Sequence, residues 1–356
     1  MVKNATIKDV AAEAGVSIGT VDRVIHKRGR YSEQTERSVK EAIVKLNYTP
    51  SRIASSLVNM KKHIKIGVNY PDVSGDDFCN EIRRGVKDAQ TELTPFGVEI
   101  ITSTSKSLSA TAQKKAIQSL LKQNVNGIIT LAFDNSSSSI FLREYVPADI
   151  PFATVTNTAW NAGQLFHIGP DDTALGTLMA RLVSLYCPAS NISILAPNYS
   201  IENTQRRING FMRKMEKEYP QINIQQIYPI TSSTFEEICK AIEEKTAEII
   251  DTCPTLDAIY ITNGMLEPCA RIIDKRNSSI RLFGHEYFRK LPYYLEKGII
   301  TATLYQHTPT QWKEAIKKMY FYLNKQSSSY EDELSECSIL IKETLPFINI
   351  DFNQSL

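Results

Sequence analysis

The chain has no long apolar segment. Within its 356 residues no window approaches the roughly 18 to 20 consecutive apolar residues of a membrane span. The first residues, MVKNATIKDV, also lack the apolar stretch of a secretory signal. The sequence therefore predicts a cytoplasmic protein that has no membrane-spanning segment and no membrane partner.

Cysteine is sparse and scattered. No CxxC pair occurs, and no histidine stands close to a cysteine in the sequence. The six positions are Cys79, Cys187, Cys239, Cys253, Cys269 and Cys337. This distribution supports neither a disulfide framework nor a zinc module, so we expect free thiols in a reducing compartment and no metal.

Catalytic signatures are missing as well. The chain has no GxGxxG that opens a helix after a strand, no Walker A loop, no GxSxG elbow and no HExxH. Its five histidines do not form spaced metal-binding pairs. We therefore expect a protein without enzymatic activity and without a cofactor, and an enzyme of sugar metabolism is the disfavoured alternative.

Positive charge is concentrated at one end. Residues 1–62 contain 12 Lys and Arg against 6 Asp and Glu, whereas the remainder contains 29 against 33. A basic head on a mildly acidic body is typical of a nucleic-acid-binding end, although a charged and solvated face would give a similar count.

The first fifty residues predict three short helices joined by tight turns. Each helix follows a residue whose hydroxyl can cap it, namely Thr6, Ser17 and Ser32. Gly15 lies in the first link, where a turn often needs the left-handed conformation. This arrangement indicates a helix-turn-helix, so residues 1–50 are predicted to form an all-α DNA-binding domain. The apolar faces comprise Ile7, Val10, Ala11 and Ala14, then Val21, Val24 and Ile25, then Val39, Ile43 and Leu46.

A specific resemblance runs through this head. The run ATIKDVAAEAGVSIGTVDRVIHKRG and the following YSEQTERSVKEAIVKLNYTPSRIASSL resemble the N-terminal module of the LacI/GalR family of bacterial transcription regulators. The resemblance implies that the second helix enters the major groove, with Ile18, Gly19 and Arg23 at the base edges. The guanidinium of an arginine can donate hydrogen bonds to O6 and N7 of one guanine, which gives about 1 to 3 kcal/mol of discrimination against other bases. Ile18 offers only apolar contact. The positions expected to hold phosphates are Ser17, Thr20, Lys27, Arg28 and Arg30.

One residue of the second helix departs from the common family pattern. Asp22 stands where a serine is usual, and a carboxylate that faces phosphates would be repelled. Either Asp22 accepts a hydrogen bond from a cytosine N4 or a neighbouring Arg, or it orients Arg23 or Lys27. The sequence leaves these alternatives open.

Residues 51–62 are predicted to form a hinge. The segment that follows Pro50 is too short to be a stable isolated helix in water. The resemblance implies that it becomes helical on operator DNA, where Leu57 wedges between central base pairs of the minor groove. The alternative is that Leu57 packs on the sensor domain.

From residue 63 the chain alternates β-branched runs with amphipathic helical stretches, which predicts two lobes of doubly wound parallel sheets over residues 63–356. In this α/β architecture ligands bind at the carboxyl ends of the strands. The predicted strands are IKIGVNY, VEIITSTS, NGIITLAF, PFATVTN, NISILAP, INIQQIYPI, LDAIYITNG, IRLFGHEY and ITATLYQ.

The strand ends resemble those of two-lobed, ribose-type periplasmic sugar-binding proteins, which share their fold with the sensor domain of the regulator family. Amides and carboxylates can bridge the paired hydroxyls of a polyol, and Phe78 or Trp160 can cover the apolar side of a sugar ring. Asp171 can instead be only a helix N-cap, and Asn263 only a turn residue. The resemblance implies ligand contacts from Asp76, Phe78, Asn157, Asp171, Arg207, Asn263, Glu286 and Gln306.

Three departures separate this chain from the ribose type. Gly264 replaces a frequent Asp, the His285-Glu286 pair replaces an aromatic-Asp pair, and Asn157 replaces a carboxylate. The predicted site therefore differs from the ribose type in its charge and in how far its side chains extend. Its effector is expected to be a carbohydrate or related polyol.

The predicted function is that of a DNA-binding transcriptional regulator, most often a repressor in this family, whose operator affinity depends on a small-molecule effector. A palindromic operator requires a two-fold homodimer. The end, TLPFINIDFNQSL, predicts a strand and a short tail, and no C-terminal leucine heptad follows. The alternatives are a ligand-activated or corepressor-dependent activator, and a sensor that no longer binds a small molecule.

Overall fold

Two separate units make up the chain, residues 1–62 and 63–356. The computed structural model describes residues 7–25, 29, 31–46, 63–73, 75–105, 107, 109–133, 135–199, 201–232, 234–325 and 330–348. The predicted hinge, residues 51–62 with Leu57, lies outside these described residues, as do Lys27, Arg28 and Arg30.

The head contains the three predicted helices, and two predicted caps are confirmed. The backbone N–H of Thr20 donates to Ser17 Oγ at 3.2 Å, and that of Thr35 donates to Ser32 Oγ at 3.2 Å. Gly15 adopts a φ of 65° in the turn between the first two helices. The helices are α1 (Ile7–Ala14), α2 (Ile18–Ile25) and α3 (Glu33–Lys45). Their buried core consists of Val10, Ala11, Val21, Val24, Val39 and Ala42.

The first lobe of the body is a six-stranded sheet with the strand order β11-β5-β4-β3-β1-β2, in which every pairing is parallel. Its strands are β1 (Ile64–Pro71), β2 (Val98–Ser105), β3 (Gly127–Thr130), β4 (Phe152–Val155), β5 (His167–Gly169) and β11 (Glu333–Leu334). Its helices are α4 (Asp77–Leu93), α5 (Ala110–Lys122), α6 (Asn135–Tyr145) and α12 (Thr308–Leu323). A short 3-10 helix spans Thr94–Phe96.

The second lobe repeats this plan with the strand order β12-β10-β9-β8-β6-β7, in which only the β10–β12 pairing is antiparallel. Its strands are β6 (Asn191–Pro197), β7 (Asn223–Ile230), β8 (Ala258–Ile261), β9 (Arg281–His285), β10 (Ile300–Tyr305) and β12 (Ser338–Leu340). Its helices are α7 (Asp172–Tyr186), α8 (Glu202–Glu218), α9 (Phe235–Thr252), α10 (Leu266–Lys275) and α11 (Leu291–Glu296). The predicted two-lobed α/β fold is therefore confirmed.

The chain passes between the lobes three times, from β5 to α7, from β10 to α12 and from β11 to β12. All nine predicted strands are present, but β5, β11 and β12 were not predicted because each spans only two or three residues. The strand predicted within residues 344–356 is wrong for residues 344–347, which belong to a 3-10 helix (Lys342–Phe347) that contains Pro346. Residues 349–356 of that prediction lie outside the described residues. Within the described residues, no helix is both long and apolar enough to cross a membrane.

Two glycines allow α7 and α8 to lie unusually close together. A Cβ added at Gly176 would overlap the carbonyl oxygen of Arg207, and one added at Gly210 would overlap that of Thr173. This close approach brings the first turn of α7, where Asp172 lies, against the middle of α8, where Arg207 lies. The helix pair therefore positions an ion pair at the edge of the interlobe cleft.

Candidate functional site

A cavity of about 130 Å³ lies between the lobes at the carboxyl ends of their strands. Parallel strands place the loops that follow them at this edge of each sheet, which is why the predicted residues converge here. The predicted ligand contacts that line the cavity are Asp76, Phe78, Asn157, Arg207, Asn263, Glu286 and Gln306. Trp160 and Asp171 instead line a neighbouring cavity of about 280 Å³.

Arg207 is the central charged group of the interlobe cavity. Its side chain is almost fully buried and donates from Nε to Asp172 Oδ1 at 2.7 Å. It also donates to the Thr262 carbonyl oxygen at 3.0 Å and to Gln306 Oε1 at 3.2 Å. Burial has the largest single effect on the pKa of Arg207 and lowers it, but the charge of Asp172 and smaller effects, including the hydrogen bond to Asp172, together raise it, with a net rise. Protein groups therefore neutralise the charged guanidinium and fix its orientation.

Asp172, the partner of Arg207, was not among the predicted residues. Its neighbour Asp171 is exposed and caps α7, accepting a hydrogen bond from the Ala174 N–H at 3.0 Å. One step along a helix rotates a side chain by about 100°, which turns Asp172 inward. Burial raises the pKa of Asp172, although Arg207 opposes this rise.

Glu286 enters the cavity from the end of β9 on a backbone with a φ of 69°. Its carboxyl accepts a hydrogen bond from Gln306 Nε2. Burial raises the pKa of Glu286 to about 8, against the smaller opposing effect of Arg207. The carboxyl is therefore largely protonated at neutral pH, so it can donate a hydrogen bond to a ligand as well as accept one.

Two of the departures from the ribose type are packed against each other. A Cβ at Gly264 would lie 2.9 Å from Cγ of Glu286, so the absent side chain at Gly264 makes room for the glutamate. His285, the residue before Glu286, is fully buried, and its Nε2 is hydrogen-bonded to the Tyr260 hydroxyl at 2.9 Å. His285 is therefore part of the core. Burial lowers the pKa of His285 well below its usual value.

The first lobe contributes the opposite wall of the cavity. Asp76 caps α4 and accepts a hydrogen bond from the Phe78 N–H at 3.0 Å. Burial raises the pKa of Asp76 to about 6. Phe78 of this lobe and Phe235 of the other lobe both line the cavity. Sequence reasoning missed Phe235, because no motif distinguishes the first residue of α9.

Asn263 is a turn residue that also lines the cavity. Its Oδ1 accepts a hydrogen bond from the Met265 N–H at 3.1 Å, as in a turn, and its Nδ2 donates to the Pro197 carbonyl oxygen at 3.3 Å. The residue nevertheless lines the cavity. Turn formation therefore holds the amide at the cavity wall.

Direct hydrogen bonds join the two lobes around the cavity. Asn203 Nδ2 of α8 donates to Asn157 Oδ1 at 2.8 Å. The Tyr305 hydroxyl donates to Glu81 Oε2 of α4 at 2.6 Å, and burial is the main cause of the raised pKa of Glu81. Asn203, Glu81 and Tyr305 were not predicted, because a contact between lobes leaves no local sequence pattern.

Trp160 lines the second cavity, and this large apolar residue is 44% exposed. Cζ of Arg206 lies 4.3 Å from the centroid of the Trp160 ring, and Arg206 Nε donates to Glu202 at 2.8 Å. Trp160 belongs to the first lobe and Arg206 to α8, so this cation–π contact also spans the cleft.

On the head, the predicted base-reading positions lie along α2. Ser17, Ile18 and Gly19 are exposed, whereas Thr20 and Arg23 are partly exposed. Arg23 donates from Nε to the Gly19 carbonyl oxygen at 3.1 Å and from Nη2 to Thr20 Oγ1 at 3.2 Å. These contacts fold the guanidinium back along its own helix, and the role of Asp22 stays open.

Comparison with known proteins agrees with this architecture. Residues 66–327 match the model of the periplasmic binding protein domain, and residues 6–51 match that of the bacterial regulatory proteins of the lacI family. A helix-turn-helix head joined to a periplasmic binding protein domain defines a class of transcriptional regulators. The chain belongs to the lacI family of bacterial regulatory proteins, and it is a DNA-binding transcriptional regulator.

Curated relatives span most of the chain. The ribose operon repressor of Bacillus subtilis is 25% identical over 330 residues, which are 90% of this chain and 93% of the relative. The transcriptional repressor PurR of Haemophilus influenzae is 29% identical over 220 residues, 62% of each chain.

Solved structures share the fold of the body. GanP, a glucose-galactose binding protein from Geobacillus stearothermophilus, is 20% identical with a TM-score of 0.70, covering 80% of this chain and 100% of that one. A LacI transcriptional regulator from Bacteroides fragilis is 15% identical with a TM-score of 0.69, covering 81% and 100%.

Proposed function

We propose that this protein is a repressor whose operator affinity is controlled by an uncharged sugar or polyol bound between the two lobes. Residues 1–50 bind a palindromic operator as part of a homodimer, residues 51–62 form the hinge with Leu57 as the minor-groove wedge, and residues 63–356 sense the effector. The observation that carries this proposal is the interlobe cavity, which combines hydrogen-bonding groups and aromatic rings from both lobes.

The charges around the cavity favour a ligand without net charge. Arg207 is already neutralised by Asp172, and Glu286 is largely protonated at neutral pH. Among the described residues that line the cavity, an anionic ligand would therefore meet no unpaired cation, whereas hydroxyl groups can exchange hydrogen bonds with the carboxyls and amides. Removing one hydroxyl would leave a buried polar group unpaired, at about 1 to 3 kcal/mol.

The proposed mechanism is lobe closure. An effector that contacts Asp76 and Phe78 on one lobe and Arg207 and Glu286 on the other stabilises one relative orientation of the lobes. In a dimer this orientation sets the spacing of the two hinge segments, and with it the operator affinity. Linkage requires reciprocity, so operator DNA must change effector affinity by the same factor.

The proposal also covers the place of action and the absence of catalysis. Because the named relatives are transcriptional regulators, we propose that the protein acts on DNA in the bacterial cytoplasm. Among the described residues, no group of three or more His, Cys, Asp or Glu is arranged to hold a metal ion. We propose that the protein binds and releases its effector unchanged.

The test is binding of the purified chain to labelled fragments of its own genomic neighbourhood at moderate salt, with and without a panel of neutral sugars. We expect salt-sensitive binding to a palindromic site that one sugar changes. Arg23→Ala should weaken the preference for the specific site by roughly 10- to 100-fold. Lys40→Ala, on α3 and paired with Glu36, is the control and should have a much smaller effect.

Two results would contradict the proposal. If the protein binds its own genomic fragments and unrelated fragments with equal affinity, sequence-specific DNA binding by residues 1–50 is contradicted. Specific binding that is insensitive to every sugar, together with no sugar-dependent rise in melting temperature, would contradict the proposed effector class.

A further inference from the structure

The cleft between the lobes contains two adjoining cavities. The interlobe cavity measures about 130 Å³ and the cavity beside Trp160 about 280 Å³. Both are lined by Thr156, Asn157 and Asn203, so a wall of only a few side chains separates them. Neither reaches the roughly 300 Å³ at the lower end of ordinary ligand pockets, whereas the two together exceed it.

The wall between the cavities is a polar contact that a ligand can replace. Asn203 Nδ2 donates to Asn157 Oδ1 at 2.8 Å across the cleft, and both residues are only partly buried. A hydroxyl group placed at this point can accept from one amide and donate to the other. Such an exchange preserves the number of hydrogen bonds, so its net cost is small.

The second cavity has the surfaces that a sugar ring needs. The guanidinium of Arg206 lies over the Trp160 indole at 4.3 Å, yet the residue remains 44% exposed and leaves apolar surface for a ligand. Thr158 and Gln164 add polar groups to the same wall. Covering the indole with the apolar face of a ring removes apolar surface from water. The cavity therefore fits an amphipathic ring better than a purely ionic group.

The charges of this cavity disfavour an anion. Carboxylates from Asp171, Asp332 and Glu333 line it. Arg206, which also lines the cavity, is paired with Glu202. Burial lowers the pKa of His167, also in the lining, to about 4, so this ring is neutral. A phosphorylated or carboxylated ligand would be repelled, whereas a neutral hydroxylated group would not.

We propose that the effector extends across both cavities and is a neutral glycoside of two rings. One ring occupies the interlobe cavity with Arg207 and Glu286, the linkage passes Asn157 and Asn203, and the second ring packs against Trp160. This inference rests on the proposed function, because it assumes that a neutral sugar is the effector.

The experiment uses the full-length chain and matched pairs of probes, namely D-glucose with cellobiose and maltose, D-galactose with lactose and melibiose, and D-xylose with xylobiose. Affinities are measured by calorimetry. The sequence has two tryptophans, and Trp312 is fully buried in the first-lobe core. A second ring at Trp160 should therefore shift the tryptophan emission, and the corresponding monosaccharide should not.

We expect one disaccharide to bind at least about tenfold more tightly than its monosaccharide. Trp160→Ala should abolish this preference, because it should weaken disaccharide binding more than monosaccharide binding, and Trp160→Phe should restore part of it. The matched control is Tyr145→Ala. Tyr145 is another exposed aromatic residue with a cation, Lys114, over its ring, but it lines neither cavity. Glucose 6-phosphate should not compete.

The outcomes separate this inference from the function on which it rests. Binding of monosaccharides with no gain from a second ring overturns the two-cavity inference and leaves the proposed effector class intact. The same holds if Trp160→Ala weakens both members of a pair equally. If no neutral sugar of either size binds, the proposed effector class fails and this inference fails with it.

Discussion

The exchange of one carboxylate in the cleft provides a strict test of the site geometry. Asp172→Asn keeps the size and one hydrogen-bond acceptor of the side chain but removes the charge that neutralises Arg207. Both members of this ion pair are buried, with side-chain exposures of 10% for Asp172 and 4% for Arg207. Leaving a buried charge without its partner costs about 3 to 5 kcal/mol, and the retained acceptor puts our expectation at about 3 kcal/mol.

The matched control is the neighbouring substitution, Asp171→Asn. Asp171 is exposed and caps α7, and asparagine caps a helix about as well as aspartate. For the control we expect the free energy of unfolding to change by no more than about 0.5 kcal/mol. For Asp172→Asn we expect the melting temperature to fall by roughly 5 to 10 °C. Calorimetric unfolding and sugar titration of both variants provide the measurement. Equal stability of the two would refute the assignment of Asp172 as the partner of Arg207.

Three further predictions concern the lobes. Gly176→Ala should destabilise the body by about 1 to 3 kcal/mol in denaturant unfolding, because the added Cβ overlaps the neighbouring helix. Tyr305→Phe removes the interlobe hydrogen bond to Glu81 and should enlarge the radius of gyration in solution scattering, unlike Tyr293→Phe, whose partner lies in the same lobe. The pKa of the Glu286 carboxyl is about 8 in the folded state and 4.5 as its ordinary value, so the folded state holds a proton that the unfolded state releases. The protonated carboxyl therefore contributes a free energy of folding that is complete below pH about 4.5 and is lost as the pH rises through about 8. Glu286→Gln should flatten that part of the stability profile, and an unchanged slope would contradict the assigned pKa.

The sequence predicted the features that depend on local periodicity and on strand ends. The alternation of buried strands and amphipathic helices identified all nine long strands, and the hydroxyls of Ser17 and Ser32 identified two helix starts. Seven of the predicted ligand contacts line one cavity because parallel strands end at a common edge. Whether they contact an effector stays a prediction.

The remaining features depend on contacts between residues far apart in the chain. Asp171 and Asp172 are chemically identical in the sequence, and only the rotation of α7 against α8 decides which one meets Arg207. Asn203 and Phe235 lie in or at the start of helices with no recognisable motif, and they reach the cleft only because the lobes face each other. The strands β5, β11 and β12 are too short to show a period.

The departures from the ribose type are physically coupled. Glu286 can occupy the cavity because Gly264 has no side chain, and Glu286 remains largely protonated because it is buried. Restoring a side chain at Gly264 alone would force Glu286 out of its place, and shortening Glu286 alone would leave Gln306 without its acceptor. Because either single reversal leaves a clash or an unpaired amide, the two positions define one altered recognition surface. We therefore expect the effector to differ from that of a ribose-type relative, and we expect the Gly264 and Glu286 pair to contribute to this difference.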